Sequence, residues 1–313
     1  MQVLSATVGQ MMVLFTLIII GYILARLKAV PDNTATVLSK LENNLLVPAL
    51  VLGTFIKNFT VDKIGSAGNL FVVSFIICIV MMAVSMLVSR FCSKDPYIRK
   101  IYTYGLAFSN FGFMGNAVVS AVFPEYFVDY LIFTMPLWTM IYLWGVPCLL
   151  IPQEEGSQSL RSRLKAFCNP MFVCLLVGMG FGLLGLKMPT FVQTVVDVAG
   201  DCMSPVAMLL TGVTVANMDL KKVLSIRSIY VVSLIRLIVF PLAFIGLFCL
   251  VPMEENVVMC TICSLAMPLG LSTIVIPKSY GSDVSVAAGM TIVSHLLSVL
   301  TIPVIFYLLM YLS

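Results

Sequence analysis

Charge is what this sequence has least of. Only 10% of its 313 residues are Asp, Glu, Lys or Arg, and 60% are apolar. A soluble domain is about a quarter charged, so a soluble globular chain is excluded. The longest polar stretch, Gln153–Lys165, is a loop and leaves no room for a soluble domain. Apolar runs of the roughly 20 residues that cross a bilayer recur from end to end. Histidine is nearly absent too: His295 is the only one. With no G-x-S-x-G, no D-D-x-x-D and no nucleophile beside that histidine, neither a hydrolase nor a prenyl transferase fits. No ATP-binding loop is present, so active transport would have to draw on a gradient.

Cysteine is not scarce, but it is scattered. Cys260 and Cys263 form a lone C-x-x-C in an apolar run, with His295 far off in sequence. A structural metal needs more ligands than that, so the cysteines read as small core residues. No metal and no cofactor are expected, apart from a coupling H+ or Na+. The segment Thr7–Leu27 lacks a basic start and a small-residue cleavage site, and reads as a retained helix.

Ten spans can be drawn, at 7–27, 34–56, 68–89, 100–122, 126–151, 167–186, 190–217, 228–251, 255–277 and 284–310. Basic residues orient them. Of the 18 Lys and Arg residues, 14 fall in the loops of one side. Three (Lys57, Lys63, Lys187) fall in those of the other, and Arg236 lies inside a span. The excess of positive charge marks the cytoplasmic side. Both termini are therefore expected to be non-cytoplasmic, in a multi-pass protein of the cytoplasmic (inner) membrane.

Helix breakers repeat. Pro48 meets Pro205, Gly21 meets Gly178 and Asn44 meets Asp201 at one offset of 157 residues, half the chain. Phe111 meets Pro268 at that offset. Two halves, 1–156 and 157–313, would each hold five spans, and an odd number inverts the second half in the membrane. Inverted repeats are common in secondary transporters. The expected fold class is an all-α membrane protein of ten transmembrane helices in two inverted five-helix repeats.

The most polar cluster in the apolar chain is "SNFGFMGN", Ser109–Asn116. It places Asn110, Gly112, Gly115 and Asn116 in the fourth span. The ninth span, in the matching place, carries Pro268, Gly270, Ser272 and Thr273. Proline and glycine interrupt helices, and interrupted backbone at membrane depth persists only where protein or water satisfies it. Two broken helices in matching places of inverted halves point to a binding site at the midplane. Their half-helix N-termini and the asparagine amides suit an anion such as a carboxylate. These eight residues are the candidate substrate site. Pro48 and Pro205 are candidate hinges.

At these residues the chain resembles the auxin efflux carrier family, which includes bacterial organic-anion permeases and the plant PIN-type carriers. "NFGFMG" resembles the family's fourth-span N-x-x-x-M-G, and "AMPLGLSTIVIPKSYG" its broken ninth span. "SPVAMLLTG" and "SVLTIPV" resemble its seventh- and tenth-span patterns. The resemblance covers the whole chain. It implies a bile acid symporter/auxin carrier-like fold, in which broken helices 4 and 9 cross at the substrate. It also implies a scaffold of spans 1, 2, 6 and 7, a transport unit of spans 3–5 and 8–10, and elevator-like movement. Asn110 falls where the family's substrate-contacting asparagine falls. The family's M-G-x-P proline is replaced here by Ala117, so Gly112 and Gly115 are left to interrupt the fourth span.

Four residues are candidates for a coupling ion. Asp201 and, one turn earlier, Asp197 are acids inside a span, where an unpaired charge is costly. Asn44 is the repeat mate of Asp201, and His295 has an ordinary pKa near neutrality. Arg236, in "SLIRLIVF", is expected to form a structural ion pair. The expected partners are a small organic anion and the lipid bilayer. A homodimer is left open, and nothing points to nucleic acid. Uniport, or a channel-like facilitator, stands as the alternative to coupled transport. The basic asymmetry makes one direct prediction: a reporter fused after Ser313 will be active only on the non-cytoplasmic side, and activity only in the cytoplasm would reverse the topology.

Overall fold

Apolar runs can satisfy their backbone in a bilayer only as helices or closed barrels, and this chain forms helices. The computed structural model describes residues 2–62, 68–152, 170–217, 220–251 and 253–312. The stretch Gln153–Lys165, the repeat boundary after residue 156 and Lys63 lie outside the described residues.

The first half opens with α1 (Gln2–Arg26), α2 (Thr34–Leu41) and α3 (Val47–Asn58), the last two joined by a π-helical turn, Glu42–Leu46. Then come α4 (Gly68–Cys92) and α5 (Pro96–Ala107). A second π-helical turn, Phe111–Gly115, leads into α6 (Asn116–Val122), and α7 (Phe127–Met140) continues into a π-helical segment, Ile141–Leu150. The second half holds α8 (Pro170–Leu183), α9 (Thr190–Asp201), α10 (Met203–Ala216) and the short α11 (Leu220–Leu224). It goes on through α12 (Arg227–Leu234), a π-helical turn at Ile235–Val239, and α13 (Phe240–Leu250). It ends with α14 (Glu255–Leu265), α15 (Ser272–Ser279) and α16 (Ser285–Leu312).

Among the described residues five helical stretches are long and apolar enough to cross a membrane: Gly68–Cys92, Pro124–Leu150, Thr190–Ala216, Arg227–Leu250 and Ser285–Tyr311. Met12–Arg26, Pro170–Leu183 and Glu255–Leu265 are shorter apolar helices. The expected fourth and ninth spans are each split in two, as α5 with α6 and α14 with α15. Local sequence explains the ends. Asp95 caps α5 by accepting from the Tyr97 and Ile98 N–H groups at 2.8 and 3.0 Å, with Pro96 in the first turn. Pro48 and Pro205 both fall in the first turn of a helix, α3 and α10. There each ring falls beside a turn where the helical hydrogen-bond ladder already changes register. The interruption lies just before each: the Glu42–Leu46 turn in one case, the step between Asp201 and Met203 in the other.

The helices pair by close backbone approach. Helix α1 lies along α10, and α8 along α3. A β-carbon on Gly21 would collide with the Leu209 carbonyl, and one on Gly212 with the Ile18 carbonyl. One on Gly178 would stand 2.9 Å from Phe55 Cβ and 3.1 Å from the Leu52 carbonyl oxygen. Gly178 follows Gly21 by 157 residues, and Leu209 follows Leu52 by the same 157. The Gly21–Leu209 contact therefore recurs as Gly178–Leu52 with the roles of the halves exchanged. In lipid, where burial of apolar surface does not drive helices together, such small-residue contacts are a main source of association. The outer faces remain apolar, with Ile19, Ile23, Val72, Ile76, Leu300 and Val304 exposed.

Overpacking a tight contact costs about 1–3 kcal/mol, occasionally more. Gly21→Leu and Gly212→Leu should therefore lower the unfolding temperature of the purified protein. Gly246→Leu, where a β-carbon would meet nothing within 4 Å, should not. Equal melting of all three variants and the parent would show that these contacts do not hold the helices.

Candidate functional site

The two helix interruptions meet. The Asn110 N–H donates to the Pro268 carbonyl at 2.8 Å, and Ser109 pairs with Leu269 in an isolated antiparallel β-bridge. The Ser109 hydroxyl donates to the Ser264 carbonyl at 2.7 Å. Non-helical backbone at this depth needs partners, and each broken segment is a partner of the other. A β-carbon on Gly270 would lie 3.0 Å from the Phe108 carbonyl oxygen, so the two segments approach closely there. At Gly112 a β-carbon would collide with the Trp138 ring, and at Gly115 with the Tyr130 hydroxyl. Neither glycine has a left-handed backbone. Both lie in the Phe111–Gly115 interruption itself, and their missing side chains also let α7 pack closely onto it.

Arg236 sits over this crossing. It is 1% exposed. Its Nη1 donates to the Leu106 carbonyl at 2.9 Å, its Nη2 to Ser264 at 3.3 Å and its Nε to Met267 at 3.4 Å. Leu106 and Ser264 lie in the last turns of α5 and α14, the C-terminal ends of the first half-helices of both broken spans. A helix C-terminus carries unpaired carbonyls and about half a negative charge. The guanidinium, a rigid fork of donors, answers two such ends at once. The expected ion pair is not what forms: the partners are carbonyls. The one salt bridge among the described residues is elsewhere, between Lys57 and Asp197 at 2.7 Å.

A second, open feature adjoins the crossing. A cavity of about 530 Å³ lies between α3, the Phe111–Gly115 turn with α6, α7, and the α9–α10 junction. Gly112, Asn116, Lys57, Asp197 and Asp201 line it. Asp197 accepts from Lys57 and, at 3.0 Å, from Gln193 Nε2. Asp201 is exposed at the end of α9. It is not enclosed, as its place within a long apolar span had suggested. Asn116 Oδ1 is buried and without a hydrogen-bond partner among the described residues.

The remaining candidates, Asn44 apart, lie at or beside the crossing. Asn110 is buried, its Nδ2 3.0 Å from His295 Nε2. His295 Nδ1 is 2.8 Å from the Thr291 carbonyl. Pro268, Gly270 and Thr273 are in the buried crossing, where the Thr273 hydroxyl donates to the Gly270 carbonyl at 2.9 Å. Ser272 begins α15 and is half-buried. Asn44 belongs to neither place; it is exposed, and its Nδ2 donates to the Lys40 carbonyl at 2.8 Å. Sequence reading passed over Glu42, which is fully buried with neither carboxylate oxygen hydrogen-bonded among the described residues. An acid inside the 34–56 apolar run was the signal for it.

Comparison with known proteins gives this geometry a family. The family model described as "Membrane transport protein" matches residues 6–306. The chain belongs to this family, that of the auxin efflux carriers. It is similar to an "Uncharacterized transporter" of Methanothermobacter thermautotrophicus, at 24% identity over 293 residues. That match covers 92% of this chain and 93% of the relative. Membership in a transporter family makes this a multi-pass membrane transport protein.

In this auxin efflux carrier relative, removing the Arg236 guanidinium would leave carbonyls of two half-helices unpaired. A hydrogen bond to a charged group contributes about 1.5–3 kcal/mol. Arg236→Leu should cost ~3 kcal/mol or more and greatly reduce the yield of folded protein. Arg236→Lys should recover part of it. An Arg236→Leu protein that melts like the parent would remove the guanidinium from its structural place.

Proposed function

We propose that this protein is a secondary carrier of small organic anions, mono- or dicarboxylates, with the substrate at the crossing of the fourth and ninth spans. The observation that carries this reading is the contact between the two interruptions, with Arg236 on their carbonyl ends. Once those negative ends are answered, the N-terminal ends of the second half-helices, at Asn110–Asn116 and Ser272, are left to favour an anion. Asn110 and Asn116 would add amide donors without adding a fixed charge.

In this reading the chain crosses the cytoplasmic membrane ten times as two inverted halves, 1–156 and 157–313, with both termini non-cytoplasmic. The exchange of Gly21–Leu209 for Gly178–Leu52 between halves supports the inversion. Spans 1, 2, 6 and 7 would form the scaffold, consistent with the α1–α10 and α3–α8 packing. Spans 3–5 and 8–10 would move against it, elevator-fashion. Asp201, open to the cavity, is the carboxylate best placed to meet a coupling sodium ion, whereas Asp197 already has Lys57. Uniport is the alternative if no gradient drives accumulation.

A thermal-shift series with acetate and succinate, with and without sodium and at two pH values, tests the ligand class, because a ligand of the folded state raises apparent stability. Uptake into proteoliposomes tests the transport. Asn110→Ala and Asn116→Ala should weaken carboxylate binding about tenfold or more, the equivalent of one lost charge-assisted hydrogen bond, while the protein still folds. Parental affinity in both variants would move the substrate away from the fourth-span interruption. Asp201→Asn should keep counterflow but lose sodium-driven accumulation, and full sodium-driven accumulation would leave Asp201 without a part in coupling.

A further inference from the structure

The contact between Asn110 and His295 holds more information than a packing contact would. The Thr291 carbonyl can only accept, so His295 Nδ1, 2.8 Å away, carries a hydrogen. In a neutral ring Nε2 is then bare and accepts from the Asn110 NH2 group at 3.0 Å. This arrangement turns the other end of the Asn110 amide, Oδ1, away from the ring. That oxygen is buried and has no hydrogen-bond partner among the described residues. A buried acceptor without a donor is costly, and an acceptor presented at the crossing repels an anion.

Protonation reverses the geometry. An imidazolium has a hydrogen on both nitrogens, and its Nε2–H cannot face an NH2 group. A half-turn of the Asn110 amide about Cβ–Cγ lets Oδ1 accept from Nε2–H and puts the NH2 group where the lone acceptor had been. The crossing then presents donors, which suit a carboxylate. The same carboxylate compensates the charge of the ring.

Among the described residues packed around His295, no other group supplies that compensation. Helix α16 packs against α1, α10, α11, α12, α13, α14, α15 and the Ile235–Val239 turn. Tyr22 shares with His295 an apolar cavity of about 200 Å³. Arg236, Cys260 and Cys263 are buried, and Arg236 is a cation already bound to carbonyls. Arg26, Lys221, Arg227, Tyr230, Cys249 and Glu255 are exposed, and Lys278 is half-buried. Glu255 is the only carboxylate among these, and it accepts from the Tyr126 hydroxyl at 2.6 Å. A buried cation without a counter-charge is strongly disfavoured, so a proton on His295 needs an anion brought from outside.

We infer that His295 takes up one proton together with one carboxylate at the crossing, with the Asn110 amide turning over to link the two. This deepens the carrier reading and rests on it. The consequence is anion–proton symport in which neither ligand binds well alone, a reciprocal coupling. The proton comes from solvent on the side where the anion enters and leaves with it on the other.

Because His295 is the only histidine, protein labelled with 15N-histidine and purified without a histidine tag reports this ring alone. Without ligand the spectrum should show a neutral ring protonated at Nδ1. Saturation with succinate at the same pH should give a ring protonated at both nitrogens. Succinate affinity should rise about tenfold for each pH unit lowered, as one linked proton requires, and His295→Gln should make it independent of pH. Succinate bound to a protein whose ring stays neutral overturns the inference and leaves the carrier reading intact. If neither succinate nor acetate binds at any pH, the carboxylate site falls, and this inference falls with it. Should His295→Gln not fold, the spectrum of the parent protein still decides.

Discussion

A buried guanidinium holds two helix ends together at the centre of this protein, and much else is arranged around that contact. Interrupting a membrane helix exposes carbonyls on one side of the break and N–H groups on the other. In hydrocarbon both kinds of group must find partners. Arg236 supplies donors to the carbonyl ends of α5 and α14, at Leu106 and Ser264, and to Met267 between the halves of the ninth span. Its own burial is tolerable because those ends carry partial negative charge. Cation and interruptions are mutually dependent: neither would be stable in apolar surroundings without the other.

The rest of the site follows from how closely the broken segments must approach. Asn110 and Pro268 share a backbone hydrogen bond, and Gly270 lets the Phe108 carbonyl come near. Trp138 and Tyr130 fill the places where Gly112 and Gly115 lack side chains. The rigid crossing leaves its polar chemistry to a few atoms. Asn110 faces His295 on the buried side, while Gly112 and Asn116 open on the cavity shared with Lys57, Asp197 and Asp201. In the carrier reading, substrate and proton meet here, where the broken helices bring Asn110, His295 and their own backbone groups together.

Much of this was legible in the sequence. The interruptions announced themselves as asparagine, glycine and proline inside apolar runs, and the offset of 157 residues paired them before any contact was known. That signal is local and compositional. What remained hidden depends on contacts between distant segments. Arg236 looked like one half of an ion pair because a lone charge in an apolar run implies a partner, but carbonyl partners leave no trace in sequence. Asp201 looked enclosed because linear position cannot show that a cavity reaches the end of α9. Gly112 and Gly115 read as helix breakers, but that they also make room for Trp138 and Tyr130 depends on another helix. Glu42 escaped notice beside the more conspicuous Asn44, although burial reverses their standing.

In the carrier reading a carboxylate binds where the two broken helices cross. The most direct measurement is a structure of the protein saturated with bromosuccinate, with the bromine located by its anomalous scattering. The expected result is a bromine site at the crossing, beside Asn116 and the first turn of α15. Bromine confined to the Lys57 end of the cavity, with the crossing empty, would contradict it.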